Sequence, residues 1–254
     1  MNPWDVTSPC TPRCVTHRLP EISTLLTVRR WLALGSVLAG VRRGDLRPHA
    51  RGVLDALGIT LDANTDLLRV PAGTGTLIVA NHVSWLDIVA LLAVDPVGFL
   101  AKREVRSWPV IGSLAQSCGT RFIARRELRE LPAVVAGLAD ALRAGESVVV
   151  FPEGTTWCGG RGGTFRRAAF QAAIDAGAPV RPVTFAYSQG GQPSTVAAFV
   201  GDDALLPSLG RVARARDLRI ELMAHPPLEP VGDRRELAAR AQDVVRSTRV
   251  PAHA

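Results

Sequence analysis

Residues 76–80, Thr76-Leu77-Ile78-Val79-Ala80, form an apolar run that reads as a buried strand, and the segments after it repeat that signal at intervals filled by helical patterns. Residues 84–94 read as a helix, 97–101 as a strand, a Pro109-containing segment as a helix ending near Cys118, 120–124 as a strand, 130–144 as a helix and 147–151 as a strand. Past a glycine-rich loop at 154–163 come a helix over 166–176, strands near 180–187, 196–200 and 218–223, and an amphipathic helix over 233–249. This alternation places the chain in the α/β class, with a mixed, largely parallel sheet flanked by helices. With 254 residues, 47% of them hydrophobic, the chain can build one sizeable core. The expected organisation is one domain over residues 51–254, preceded by an N-terminal helical segment over residues 1–50 that associates with a membrane.

That segment is defined by the apolar stretch 22–41. It has the length of a membrane span, but Arg29 and Arg30 lie near its middle, at a cost of about 2.5 to 3.5 kcal/mol each. A simple span is therefore disfavoured. Two placements remain. One lies in the membrane interface, with Leu25, Leu26, Trp31, Leu32, Leu34 and Leu38 in lipid and Arg29, Arg30, Arg42 and Arg43 near phosphates. The other packs a helix on the core. No signal-peptide pattern is present: Arg13 and Arg18 are followed by Pro20 and Glu21 without a small-residue cleavage signal.

The formal charge of +7 favours an anionic partner, whether nucleic acid, an anionic membrane surface or a phosphate-bearing substrate. Aromatic residues make up 5% of the chain and do not interleave with the basic ones, so a stacking platform for bases is missing and nucleic acid is excluded as a partner. The 30 basic side chains include a single lysine, Lys102. Four cysteines, Cys10, Cys14, Cys118 and Cys158, are too scattered for a disulfide framework. Cys10 and Cys14 with His17 lack a fourth zinc ligand, so the expectation is a reducing compartment and no metal. The Gly159-Gly160-Arg161-Gly162-Gly163 stretch lacks the Gly-Lys-Ser/Thr ending of a nucleotide phosphate loop and reads as a mobile turn.

Chemistry concentrates at Asn81-His82-Val83-Ser84-Trp85-Leu86-Asp87. On a continuous helix, side chains five apart diverge by about 140°. His82 and Asp87 therefore meet only if His82 precedes the helix. Ser84-Trp85-Leu86-Asp87 fits a capping box with Ser84 as N-cap and Asp87 at the third helical position, which leaves His82 in the strand-to-helix turn. Capping alone accounts for Ser84 and Asp87 but leaves His82 unexplained. A histidine whose second ring nitrogen is held by a carboxylate is a base for a hydroxyl. Ser84 lacks the Gly-x-Ser-x-Gly turn of serine hydrolases, so the hydroxyl belongs to a substrate.

Asn81-His82-x-Ser84-x-x-Asp87 resembles the first motif of the glycerolipid acyltransferase family, which includes bacterial 1-acylglycerol-3-phosphate acyltransferases. Gly119-Thr120-Arg121-Phe122-Ile123-Ala124-Arg125 resembles its second motif, Phe151-Pro152-Glu153-Gly154-Thr155 its third, and Pro179-Val180-Arg181-Pro182-Val183 its fourth. The resemblance implies transfer of a fatty acyl group from coenzyme A or acyl carrier protein, with no bound cofactor, to the hydroxyl of a lyso-lipid. Its leading acceptor is 1-acylglycerol-3-phosphate, which would give phosphatidic acid. His82 would be the general base and Asp87 its orienting partner. Asn81, Ser84, Lys102, Gly119, Arg125, Glu153, Gly154, Thr155 and Pro182 would contact substrate, Lys102 in a segment with Pro109 and Gly112. The implied setting is peripheral or monotopic on the cytoplasmic face of the cell membrane, with acyl carrier protein a candidate partner.

One departure bears on the acceptor. Many relatives that use lysophosphatidate continue the third motif with an arginine after Gly-Thr, whereas Thr156 and Trp157 follow Thr155 here. Arg161, Arg166 or Arg167 could supply the missing cation, or the acceptor is another lyso-lipid, such as a lyso-ornithine lipid or a lysophospholipid with a larger head group. A lipid or thioester hydrolase on the same fold and a basic lipid-binding module without turnover are the competing readings.

Overall fold

The computed structural model describes residues 6–40, 46–102, 120–123, 131–160 and 162–247. The expected Pro109 helix and the positions Arg42, Arg43, Pro109, Gly112, Cys118, Gly119, Arg125 and Arg161 lie outside the described residues.

After an extended N-terminal stretch with one short turn at Pro12–Cys14, the chain forms α1 (Thr24–Ala39), α2 (Leu46–Ala56), β1 (Ile59–Ala63), β2 (Leu77–Ala80), α3 (Leu86–Val94), β3 (Gly98–Lys102) and β4 (Arg121–Ile123). It continues through α4 (Leu131–Arg143), β5 (Val148–Val150), α5 (Ala168–Ala176), β6 (Val180–Gln189), β7 (Gln192–Pro193), α6 (Leu205–Arg214), β8 (Leu218–Ala224) and α7 (Arg234–Ser247). The eight strands form one sheet in the order β1-β8-β6-β2-β5-β3-β4, with β7 paired to β6. Every pairing is parallel except those of β6 with β8 and with β7. The sheet is therefore mixed and largely parallel, as the alternation of elements predicts.

The central strands explain their own position. All four residues of β2 and all three of β5 are buried, and such uninterrupted apolar strands need helices over both faces of the sheet. The helices supply them in two clusters. Leu86 and Leu91 of α3 pack with Ile78, Val149 and Phe185, while Leu138 and Leu142 of α4 and Phe170 of α5 pack with Leu77, Val79 and Val148.

Besides the two-residue β7, three elements escape the sequence reading. In α2, Ala50 and Leu54 provide a narrow buried stripe on a helix that also holds Pro48 and Gly52. Strand β1 pairs in parallel with β8, and α6 buries Ser208, Val212 and Ala213. The boundary drawn at residue 50 falls inside α2.

The strand expected over 196–200 is instead a buried loop. Its backbone groups find partners outside any ladder, because Arg211 donates from Nε to the Val196 carbonyl (2.9 Å) and from a terminal nitrogen to that of Ala198 (2.9 Å). The same guanidinium pairs with Asp203 at 2.6 Å. A half-buried arginine thus does for this loop what a neighbouring strand would do.

Of the two expected placements of α1, packing on the core is observed on one face. Leu34, assigned to lipid, is 4% exposed and sits in the core, and Arg30, assigned to phosphates, donates to the Ala213 (3.1 Å) and Ala215 (2.7 Å) carbonyls at the C-terminus of α6. A cation there meets the negative end of the helix dipole. Gly58 makes room for it, since a β-carbon at that position would lie 2.2 Å from the guanidinium. Leu25 (75% exposed), Val28 and Leu32 (70%) remain as an open apolar stripe. Among the described residues no helix is long and apolar enough to cross a membrane.

The two faces of α1 give a direct test. Leu34→Ala should cost about 2 to 5 kcal/mol in denaturant unfolding, as for a buried leucine. Leu32→Ala, two residues earlier on the open face, should stay within about 0.5 kcal/mol of the parent chain.

Candidate functional site

The site forms where β2 and β5, neighbours and parallel, both end. Open parallel sheets bind ligands at this carboxyl edge. His82 lies two residues beyond β2, before α3 begins, and Asp87 is in the first turn of α3. The His82 Nδ1 and Asp87 Oδ2 atoms are 2.8 Å apart. Helix α3 starts at Leu86 with Trp85 as N-cap, one residue later than the capping box predicts. One of the two reciprocal bonds survives this shift: Ser84 N–H donates to Asp87 Oδ2 (2.9 Å), whereas Ser84 Oγ accepts from Leu86 N–H (3.3 Å) and Asp87 N–H donates to the Ser84 carbonyl (3.2 Å).

Asp87 is fully buried and its carboxylate gathers four donors. Oδ2 accepts from His82 Nδ1, from Val83 N–H (2.7 Å) and from Ser84 N–H. Oδ1 accepts from the Tyr187 hydroxyl on β6 at 2.5 Å. With its Nδ1 proton directed at Asp87, the imidazole keeps its lone pair on Nε2, a tautomer fixed by the hydrogen-bond network. The His82 side chain is 19% exposed and lines a cleft with Glu153, Trp157, Gly162, Phe165 and Arg246. Phe151 stacks on the imidazole, ring centroids 3.9 Å apart.

The backbone of the turn is pinned as firmly as its side chains. His82 N–H donates to Glu153 Oε2 (2.8 Å), its carbonyl accepts from Trp157 N–H (2.8 Å), and the Val83 carbonyl accepts from Phe199 N–H (3.0 Å). Glu153 also takes Gly163 N–H on Oε1 at 3.1 Å. The glycine-rich stretch, expected as a mobile turn, therefore wraps over a buried carboxyl. Gly162 has φ +63°, and a β-carbon there would fall 2.0 Å from Glu153 Oε1, so glycine alone allows this approach.

Burial pushes the Glu153 carboxyl up to about 7, against the two backbone N–H bonds that favour its ionised form. The neighbouring Asp87 charge adds to the rise. Burial first, and then the Asp87 charge, hold the Tyr187 phenol well above its ordinary value, so it remains a donor to Asp87.

Several residues expected to touch substrate are engaged elsewhere. Asn81 spends its amide on β6, donating to the Phe185 carbonyl (3.0 Å) and accepting from Phe185 N–H (2.8 Å). It thereby extends the β2–β6 ladder by a side chain, although it also borders the cleft. Ser84 is fully buried. Pro182 is not on an edge strand: it sits in β6 between β2 and β8, where the β8 ladder ends, and its carbonyl accepts from His225 N–H (2.9 Å). Gly154 adopts φ +77° beside Val6 and Arg166, and Thr155 is half-buried. Lys102 ends β3, but its side chain, like Gly119 and Arg125, lies outside what is described.

Tyr187, Arg246 and Phe151 as a ring partner are the residues the motifs alone do not assign. Tyr187 carried a signal in being the single tyrosine, on a strand whose neighbours are apolar. Arg246 had none beyond the charge of its helix. The cysteines also depart from expectation: Cys10, Cys14 and Cys158 converge, while His17 pairs with Glu21 at 3.5 Å.

The Acyltransferase family model matches residues 64–186. A 1-acyl-sn-glycerol-3-phosphate acyltransferase of Neisseria meningitidis serogroup B is 40% identical over 172 residues, 68% of this chain and 67% of that protein. The chain belongs to the acyltransferase family. A lyso-ornithine lipid O-acyltransferase of Pseudomonas aeruginosa is 43% identical over 169 residues, 66% of this chain. The match spans 65% of that relative's length, just under two thirds. The crystal structure of the 1-acyl-sn-glycerophosphate acyltransferase PlsC from Thermotoga maritima has a TM-score of 0.57 over 88% of this chain and 92% of that one. At 22% identity that likeness speaks for the fold. The family match covers the turn, Asp87, Glu153 and most of β6 within one stretch.

Glu153 gives this site a pH signature. Its folded value is raised from 4.5 to about 7, so between those values the unfolded chain releases a proton that the folded chain retains. Stability should therefore fall as pH rises from about 4.5 to 7 and level off above, by roughly 3 kcal/mol if the full shift is expressed. Denaturant unfolding at pH 5 and pH 8 should show that fall in the parent chain. That contribution should be absent from Glu153→Gln, which has no proton to release, so the parent-minus-variant difference should carry the fall.

Proposed function

We propose that this chain transfers a fatty acyl group from an acyl thioester, on coenzyme A or acyl carrier protein, to the free hydroxyl of a lyso-lipid. The proposed acceptor is 1-acylglycerol-3-phosphate, and the product phosphatidic acid. The observation that carries this reading is the 2.8 Å bond between His82 Nδ1 and a buried Asp87, with the imidazole at the edge of a cleft.

In this reaction His82 Nε2 accepts the proton of the acceptor hydroxyl as its oxygen attacks the thioester carbonyl. The imidazolium is stabilised by Asp87, and the tetrahedral intermediate collapses with the thiolate as leaving group. His82 returns the proton to that sulfur, so the histidine ends as it began and no acyl-enzyme forms. Arg246 at the cleft, with Arg166 beside Gly154, is suited to an acceptor phosphate, and Lys102 to the phosphate or the oxyanion. Gly119, Arg125, Gly154 and Thr155 keep the substrate-contacting roles that the motif resemblance implies.

A lyso-ornithine lipid acceptor is the second reading, favoured by one residue. Thr156 stands where lysophosphatidate-using relatives carry an arginine, and its hydroxyl donates to the Phe199 carbonyl, which ties it into the loop and away from any phosphate. The P. aeruginosa relative bears the name of that activity.

The proposed setting is peripheral on the cytoplasmic face of an anionic membrane. Leu25, Val28 and Leu32 form an exposed apolar stripe that a lipid surface would cover, in a chain of net charge +7. Sedimentation with phosphatidylglycerol vesicles should capture the parent chain. Leu25→Glu with Leu32→Glu should release most of it while the thermal melting midpoint stays unchanged.

Purified chain should be offered lysophosphatidate, other lysophospholipids and a lyso-ornithine lipid in parallel, each with acyl-CoA and acyl carrier protein donors. Acylated lipid, rather than free fatty acid, is the expected product. His82→Ala should lower its rate by about 10² to 10⁴-fold, the usual worth of a general base. Undiminished transfer in His82→Ala would sink the mechanism, and free fatty acid alone would convert the reading to a hydrolase.

A further inference from the structure

Three of the four cysteines meet in one place although they come from distant parts of the chain. Cys14 ends the short turn Pro12–Cys14 in the N-terminal stretch, Cys10 lies two residues before that turn, and Cys158 lies in the loop that follows Glu153. The three sulfurs all lie within 4.8 Å of one another. Cys10 and Cys158 are buried and Cys14 is half-buried. The Cys158 thiol donates to Cys10 Sγ at 2.8 Å, and Cys158 N–H points at the same sulfur at 3.5 Å.

The geometry points to a thiolate metal site: Cys10, Cys14 and Cys158 bind one Zn²⁺ ion, which pins the N-terminal stretch to the loop behind the catalytic turn. The Cys10-x₃-Cys14 spacing is that of a zinc-binding pair, and the turn between them sets both sulfurs on one side. Zinc–sulfur bonds of about 2.3 Å in a tetrahedron place ligand sulfurs about 3.8 Å apart. The present cluster reaches that by opening the Cys10–Cys158 pair about 1 Å. The competing chemistry is a disulfide between Cys10 and Cys158, which would leave Cys14 without a purpose in the cluster. A metal uses all three. Among the described residues three sulfurs make up the set, and the proposal leaves the fourth position of the tetrahedron to a ligand on the side of half-buried Cys14. Binding releases three thiol protons and leaves a complex of net charge −1, in a chain with charge to spare.

The ion's role is structural. Trp157, next to Cys158, donates its N–H to the His82 carbonyl, so fixing Cys158 fixes the loop that holds the turn. Binding of the folded state alone should raise the melting temperature, and a chelator should lower it.

The experiment uses the untagged full chain, exposed to zinc under reducing conditions and then desalted. Mass-spectrometric metal analysis should find about one zinc per chain, and below a tenth of that in Cys14→Ser and Cys158→Ala. Cys14→Ser replaces the half-exposed ligand, and its circular dichroism spectrum checks that it is folded. Titration with Cd²⁺ should give a sulfur-to-cadmium charge-transfer band that saturates at one equivalent and is missing in Cys14→Ser. Full zinc content in folded Cys14→Ser overturns the three-sulfur site. A metal-free chain with four titratable thiols reduces the cluster to core packing, and one with two thiols makes it a disulfide. Either result also overturns the proposal.

Discussion

The Asp87 carboxylate is the point on which the site and much of the central fold depend. It is fully buried and receives one ring N–H, two backbone N–H groups and one phenol. Removing it would strand Val83 N–H, Ser84 N–H and the Tyr187 hydroxyl at about 1 to 3 kcal/mol each, a sum comparable with the whole stability of an ordinary domain. The donors come from the turn after β2 and from β6, which is β2's neighbour in the sheet. The strand order is therefore a condition of the charge being tolerated. A parallel β2–β6 pairing puts Tyr187 beyond the end of β2, where the carboxylate of α3 needs a fourth partner.

Two carboxyls bracket His82 and their surroundings divide their work. Asp87 holds the ring and Glu153 holds the backbone N–H. Asp87 is solvated by four donors, whereas burial raises Glu153 to about 7 against its two N–H donors, and the Asp87 charge adds to the rise. A second acid held in its neutral form beside Asp87 adds no charge to compete with the one already there. That one is the charge facing the imidazole.

The parts of this arrangement that were legible in the sequence are those set by local rules. The apolar run at 76–80 reads as a buried strand, and the capping pattern at Ser84 and Asp87 leaves His82 in the turn, which is where it lies. The parts that were not legible depend on groups far apart in the chain. Tyr187 is a hundred residues from Asp87, and Cys158 is 148 from Cys10. Residues 196–200 have the composition of a strand, but Arg211 takes the carbonyls that a strand would pair. Asn81 sits within a motif and looks chemical, yet its amide reproduces a backbone pair with Phe185. In each case local composition was read correctly, and a long-range partner decided the outcome.

The N-terminal stretch was expected to be an appendage, and its contacts argue for a different relation to the site. Val6 approaches Gly154, Cys10 meets Cys158, Thr16 N–H donates to Thr195 Oγ1 (3.0 Å), Arg18 N–H donates to Gln189 (3.0 Å), and Ile22 N–H donates to the Arg214 carbonyl (3.1 Å). Arg30 and Leu34 then fasten α1 to α6 and the core. A stretch held at so many points has no independent hinge between the exposed stripe of α1 and the loops around His82. Whatever surface covers Leu25, Val28 and Leu32 therefore fixes the orientation of the cleft as well. For an acceptor that enters from a lipid surface, this rigidity lowers the entropic cost of presenting its hydroxyl to His82, because the enzyme is oriented before the lipid arrives.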